Sequence, residues 1–258
     1  MKLIKGILSD IDGTLYFKGA PVPGTIEAVE KLREKGIKLL FFTNTDSKTP
    51  KNVYKSLIEY GFKVNEEEIF TPIIALKEFL TDKKDVKLYL VTTEEVKEEF
   101  QEFHHVIGSE IPDYVIVGDF RDNWDVNRLN KAFRYVIKHK AILLGTQGNK
   151  YYLDVNGDPV IDTGSFVHMI ANAANVKPMI FGKPSKEFFL QALKKLNLPA
   201  KEVIVVGDDI DTDILGAQNA KIMSFLVKTG KGQYFTPSRG SILPLKIIES
   251  FATLIELL

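Results

Sequence analysis

The run Ile37-Lys38-Leu39-Leu40-Phe41-Phe42 is apolar at almost every position, a pattern expected of a strand whose sheet is covered by helices on both faces. Such a strand constrains the chain toward a parallel, doubly wound sheet, because parallel neighbours are joined by helical crossovers. The surrounding pattern agrees. Residues 6–43 read as strand, turn, helix, strand, with Ile26, Val29 and Leu32 spaced along one helical face and Gly36 as the stop. A further helix is predicted after Thr49, its cap, with Pro50 in the first turn, Val53, Leu57 and Ile58 facing inward and Gly61 closing it. Apolar runs recur at residues 88–91, 114–117, 142–144, 179–181, 203–206 and 222–227, with helical patterns between most of them. Residues 242–258 read as a core-packed terminal helix, since Lys246, Glu249 and Glu256 interrupt their apolar character. Tyr151-Tyr152 reads as a half-buried strand, Phe41-Phe42 and Phe188-Phe189 as core, and His104-His105 as a surface helix end rather than a metal site.

At 258 residues with 45% hydrophobic positions, the chain fits one large domain or two. Lysine plus arginine and aspartate plus glutamate both number 34. No overall field then draws nucleic acid or an anionic membrane, and selectivity for anions must be local. The absence of cysteine excludes disulfides, thiolate metal sites and a cysteine nucleophile. Met1-Lys2 leads straight into the first strand without a signal core, and no stretch reaches the roughly 20 apolar residues of a membrane span. A cytoplasmic location is expected. The lysine- and glutamate-rich, cysteine-free composition also resembles that of thermophilic proteins. No linker, repeat or low-complexity tract interrupts the chain, so a second domain has to be an insertion.

The apolar run at residues 3–8 breaks into Asp10-Ile11-Asp12-Gly13-Thr14. Ligands of open α/β sheets bind beyond the carboxyl ends of the strands, so two acids there are aimed at a site. A magnesium ion shared with a substrate phosphate would relieve their repulsion and let one carboxylate attack phosphorus. In isolation the motif is only moderately specific, since an ordinary capped turn also uses Asp and Gly. A calcium loop fits less well, because the third acid and terminal glutamate of an EF-hand are missing. Three further signals fall at predicted strand ends. Thr43 and the Asn44 backbone N–H suit phosphate oxygens; Gly182-Lys183-Pro184-Ser185 brings one ammonium, with Ser185 placed to cap the next helix. Asp208, Asp209, Asp211 and Asp213 crowd one short segment after residues 203–206. Alone, Thr43-Asn44 reads as a turn and Lys183 as a solvated lysine. No glycine-rich loop ending in Lys-Ser or Lys-Thr is present, which argues against an ATP-binding P-loop.

Taken in order, DIDGT, FFTN, FGKPS and VGDDIDTD resemble the four motifs of the haloacid dehalogenase superfamily of phosphatases, across essentially the whole chain. The resemblance implies an α/β fold: a doubly wound, parallel-sheet, Rossmann-like core with a large inserted α/β cap domain. The interval after the first motif is short and that between Thr43 and Lys183 is long, which places the cap in the second position. Residues 1–79 and 178–258 are then the core and 80–177 the cap. Within it, GDFRDNWDVNRLNKAFRYV and NKYYLDVNGDPVIDTGSFVHMIANA, with the return through GKPSKEFF, resemble subfamily IIA. That group includes phosphatases for 4-nitrophenyl phosphate, phosphoglycolate, nucleoside monophosphates and pyridoxal phosphate, and relatives acting on phosphohistidine, phospholysine or pyrophosphate.

By the same resemblance, Asp10 is the nucleophile that becomes an aspartyl phosphate, and Asp12 the acid and then the base. Thr43, the Asn44 amide and Lys183 hold phosphate oxygens, and Lys183 also offsets the charge of Asp10. Mg2+ is held by Asp10, the Asp12 carbonyl and Asp208, and Asp213 orients waters or Lys183. Asp209 and Asp211 read equally as helix-start acids. In the cap, Arg121 and Trp124 offer a cation and an aromatic face to a ligand; the competing reading has Asp125 capping a helix and Trp124 packing locally. Residues 145–149 are another candidate, although the Asn and Asp pair that related caps often carry near there is absent. The expected partner is a small phosphate compound, with no nucleic acid or membrane, and a homodimer through the cap. The alternatives are a phosphomutase, and a pyrophosphate or phosphoamidate phosphatase on the same core. A non-catalytic binding protein would be expected to lose Asp10 or Asp12, and both are present.

Overall fold

The computed structural model describes residues 4–83, 85–154, 156–236 and 242–258; the expectations resting on residues 1–3 lie outside that range. Consecutive side chains of a strand point to opposite faces, and the buried runs follow this rule. Ile7, Leu39, Phe41, Ile204 and Val206 enter one apolar cluster, while Leu8, Leu40, Phe42, Val203 and Val205 enter another. The sheet between them is six-stranded, in the order Lys246–Ile248, Met223–Val227, Val203–Gly207, Gly6–Ser9, Lys38–Phe42, Ile69–Phe70, with every pairing parallel. Helices Thr25–Glu34 and Pro50–Glu59 cover one face, and Pro72–Thr81 and Lys186–Leu196 the other.

A second parallel sheet has five strands, in the order Met179–Ile180, Ile142–Gly145, Tyr114–Val117, Lys87–Val91, His104–His105. Leu88, Leu90, Ile116 and Leu144 on its inner face join the same cluster as Phe42 and Phe188, so one apolar layer is shared by both sheets. Val115, Val117 and Leu143 face the helices Val126–His139 and Thr163–Ala174 on the outer side. The expected α/β architecture, a doubly wound core with a second α/β unit inserted, is what forms. Among the described residues, no helix is long and apolar enough to cross a membrane.

Several local expectations change. The run at 179–181, placed at the head of the returning core segment, forms the strand Met179–Ile180 beside Ile142–Gly145 in the second sheet. The chain therefore crosses back between the sheets through residues 181–184. Residues 242–258 are not one helix: Lys246–Ile248 adds a strand to the open edge of Met223–Val227, and only Leu254–Leu257 is α-helical. The β-branched pair Ile247-Ile248 suits that edge, while Phe251 and Leu254 are buried. His104-His105 is a short edge strand, and not a helix end, with His104 Nε2 2.9 Å from Glu110 Oε2. Thr49 caps its helix by accepting from the Asn52 N–H, and Val53 and Leu57 are buried, but Ile58 is 43% exposed. Ser185 precedes its helix without a capping bond; its hydroxyl donates to Glu187 Oε2 instead.

Candidate active site

Gly6–Ser9, Lys38–Phe42 and Val203–Gly207 are parallel neighbours, so their carboxyl ends open on the same side. The residues that follow them, Asp10, Thr43 and Asp208, line one cleft of about 420 Å³. Lys183 arrives from the crossing between the sheets and is buried, at 2% exposure. Its Nζ lies 2.5 Å from Asp10 Oδ1 and 2.6 Å from Asp213 Oδ1. Thr14 Oγ1 donates to Asp10 Oδ2 at 3.2 Å. A buried ammonium needs such partners, because charge taken from water unpaired is strongly disfavoured. Burial alone would lower the Lys183 pKa, but Asp10 and Asp213 outweigh it and hold the lysine above its ordinary value.

Asn44 fixes the main chain beneath that ammonium. Its Oδ1 accepts from the Lys183 N–H at 2.7 Å, and its Nδ2 donates to the Lys183 carbonyl at 3.0 Å and to Asn149 Oδ1 at 2.8 Å. The sequence pointed to the Asn44 backbone amide; the side chain has this second task. Asp12 is exposed at the cleft and accepts from Thr45 Oγ1 at 3.1 Å. Burial of Tyr16, followed by the Asp12 charge, pushes its phenol pKa up and keeps it protonated. The Thr43 hydroxyl pairs with the Thr45 hydroxyl at 2.8 Å.

Asp213 sits on a π-helical turn, Ile210–Ile214, a wider turn common at functional sites. Its Oδ2 accepts from the Asp209 N–H at 3.1 Å, which leaves Oδ1 for Lys183. Asp10, Asp208 and Asp213 each place a carboxylate oxygen within 4.8 Å of the others, all buried. Burial raises the pKa of all three. For Asp208 the charges of Asp10, Asp213 and Asp209 add to it, and Asp213 is pushed up to about 7 despite Lys183. Three crowded acids sharing one ammonium fit a hard divalent cation, which takes oxygen ligands and offsets their repulsion. Gly13 has φ of 84°, and a Cβ there would run into the Asp208 carboxylate, so this turn requires glycine.

Of the residues singled out from the sequence, Asp10, Asp12, Thr43, Asn44, Arg121, Lys183, Asp208, Asp209 and Asp213 line this cleft, whereas Trp124 and Asp211 are not among its lining residues. Arg121 is not a free cation. Its guanidinium grips Asp119 through Nε and Nη2 and stacks 4.5 Å from the Tyr152 ring centroid. Trp124 stacks on Phe120 at 5.0 Å while remaining 59% exposed, and Asp125 caps its helix by accepting from the Asn127 N–H. From residues 145–149, Gln147 and Asn149 reach the cleft.

The sequence reading missed Asp46, Asp162 and Lys231. Asp46 is buried, accepts from Thr146 Oγ1 at 2.5 Å, and is pushed up to about 7 by burial and by Asp162. Its place two residues after Asn44 was a usable signal; Asp162 and Lys231 had none beyond their position after apolar runs.

Comparisons with known proteins bear on the family and the fold. The family model described as haloacid dehalogenase-like hydrolase matches residues 7–105, and a second, HAD-hydrolase-like, matches residues 180–254. Haloacid dehalogenase-like hydrolase domain-containing protein 2 of Mus musculus is 32% identical over 250 residues, covering 97% of this chain and 94% of that protein. Phospholysine phosphohistidine inorganic pyrophosphate phosphatase of Homo sapiens is 30% identical, covering 91% of this chain and 86% of that one. Among solved structures, 4-nitrophenylphosphatase from Thermotoga maritima superposes with a TM-score of 0.87 at 28% identity, covering 98% of this chain and 97% of its own. Matched over nearly its full length in both sequence and structure, the chain belongs to the haloacid dehalogenase-like hydrolase family, with structural neighbours in its subfamily IIA.

Proposed function

We propose that the protein is a magnesium-dependent phosphatase that hydrolyses a small phosphate monoester through an aspartyl phosphate on Asp10. One observation carries this reading: Lys183 Nζ bridges Asp10 and Asp213 while Asp208 completes a buried group of three acids. A carboxylate held against an ammonium is aimed, and the ammonium offsets part of the burial that raises its pKa, as suits a nucleophile. In the first step an Asp10 oxygen bonds to phosphorus, the bond to the leaving oxygen breaks, and Asp12 donates a proton to that oxygen. In the second, water attacks the same phosphorus, Asp12 takes its proton, and Asp10 and inorganic phosphate are released. The Thr43 hydroxyl, the Asn44 N–H and the Lys183 ammonium are the donors for the phosphoryl oxygens. Asp10, the Asp12 carbonyl and Asp208 would hold Mg2+, which when bound supplies positive charge to the phosphoryl oxygens; Asp213 orients Lys183.

Residues 80–177 act as the cap, reading the leaving group and excluding water. The 30% identity to the human enzyme gives phosphoamidate or pyrophosphate hydrolysis as the second reading for the leaving group. The test is hydrolysis of 4-nitrophenyl phosphate, pyrophosphate and phospholysine with magnesium and with a chelator. Turnover is expected with magnesium only, and Asp10→Asn is expected to lower it by about 10³-fold or more. Unchanged turnover in that variant would remove Asp10 as nucleophile.

A further inference from the structure

The loop after Met223–Val227 takes no part in the chemistry above, yet it wraps the acids of the site. Thr229 Oγ1 donates to the Gly13 carbonyl at 2.5 Å. Gly230, at φ of 52°, lies so close to Asp208 that a Cβ would meet its carboxylate. Lys231 then makes two attachments. Its N–H donates to Asp208 Oδ2 at 2.7 Å. Its ammonium donates to Asp209 Oδ2 at 2.6 Å and to the Tyr151 carbonyl at 2.8 Å, and stands 4.6 Å from the Tyr151 ring centroid. Tyr151 begins the strand Tyr151–Leu153, half of an antiparallel hairpin with Pro159–Ile161. That hairpin lies in the inserted segment, whereas Asp208 and Asp209 follow a strand of the six-stranded sheet.

We infer that Lys231 is a positioning residue that couples closure of this hairpin over the cleft to cation binding at Asp10 and Asp208. The inference rests on the magnesium reading given above. The main-chain half of Lys231 orients one Asp208 oxygen, so the aim of that N–H depends on where the whole residue is held. The side-chain half reaches Tyr151 only when the hairpin is down, because the ammonium is held near the site by Asp209. A cation that fixes Asp208 and a hairpin that accepts from Nζ therefore favour the same placement of Lys231. Such coupling is reciprocal: each event strengthens the other, typically by about 5- to 30-fold.

The experiment compares the wild-type chain with Lys231→Met, which keeps the N–H and most of the side-chain stem, and with Lys231→Arg, which keeps a cation. Hydrogen exchange of residues 150–154 and 159–162 is measured with and without magnesium and inorganic phosphate, alongside magnesium affinity by calorimetry. In the wild type, magnesium with phosphate is expected to slow hairpin exchange. In Lys231→Met the hairpin is expected to exchange about 5- to 30-fold faster and to lose most of its response. Magnesium affinity is expected to fall by a comparable factor, about 5- to 30-fold, as reciprocity requires, while global stability stays unchanged, and Lys231→Arg is expected to recover both the affinity and the response. Unchanged hairpin protection in Lys231→Met would overturn the coupling. So would a collapse of magnesium affinity together with a general rise in exchange, the mark of a purely structural residue. A wild-type chain that binds no magnesium and hydrolyses none of the phosphate compounds would sink the phosphatase reading, whereas an active wild type with an unaltered Lys231→Met hairpin would sink the coupling alone.

Discussion

Lys183 shows how one buried charge is made tolerable. Two carboxylates meet its ammonium, the Phe42 ring lies 4.8 Å away, and Asn44 holds both its N–H and its carbonyl. Asp46 is the opposite case, a buried acid whose nearest charged influence is another acid, Asp162. Its folded pKa of about 7 stands above the unfolded value of about 3.9. The folded state therefore binds the extra proton, and this contribution to stability is full below about pH 4 and lost as pH rises through 7. Asp46→Asn mimics the protonated acid and still accepts from Thr146. Urea unfolding should find it more stable than wild type at about pH 8, by roughly 2 kcal/mol relative to their difference at about pH 5. An equal difference at both pH values would contradict the assignment.

The helix Lys186–Leu196 ties the chemistry to the core. It starts just past Lys183 and buries Phe188 and Phe189 in the layer shared by the two sheets. Phe188 stacks 4.9 Å from Phe70, and Phe189 meets Phe42 edge-on at 5.1 Å. Phe188→Ala removes a fully buried ring from this layer and should cost about 3–5 kcal/mol in denaturant unfolding. Activity in the folded fraction should fall as well, because the same helix anchors the Lys183 loop. The surface position Ile58, replaced by alanine, should change stability by less than about 0.5 kcal/mol.

Across the whole molecule, the buried acids link stability to pH and, on the magnesium reading proposed above, to metal. Asp10, Asp208 and Asp213 all have folded pKa values above their ordinary ones, so their contribution is greatest in acid and declines as pH rises, for Asp213 through about 7. A cation that binds the ionised acids reverses the decline. At about pH 8, magnesium at 100 times its dissociation constant should add about 2.7 kcal/mol to the unfolding free energy. At about pH 5.5 the same concentration should add much less, because protons compete for the carboxylates. Thermal unfolding at the two pH values checks this, with Asp208→Asn expected to remove the response.

The alternation of buried runs and helical patterns made the doubly wound core legible, because a strand covered on both faces has to be apolar throughout. The strand-end rule likewise exposed Asp10, Thr43 and Asp208, since it depends on order along the chain, whereas Lys183 reaches the cleft from the crossing between the sheets and not from the end of a core strand. What it left open were relations between segments far apart in sequence. Whether residues 179–181 pair in the first sheet or the second, and whether residues 246–248 add an edge strand, depends on which neighbouring edge is open. Arg121 looked like a free cation until folding set Asp119 and Tyr152 around it. Lys231 carried no signal in the sequence beyond its position after an apolar run, and its role follows only from Asp208, Asp209 and Tyr151 converging on it in the fold. Local pattern determined the elements and the residues at their ends, whereas partners and charge states arose only when tertiary packing brought distant carboxylates and cations within a few ångströms and took them out of water.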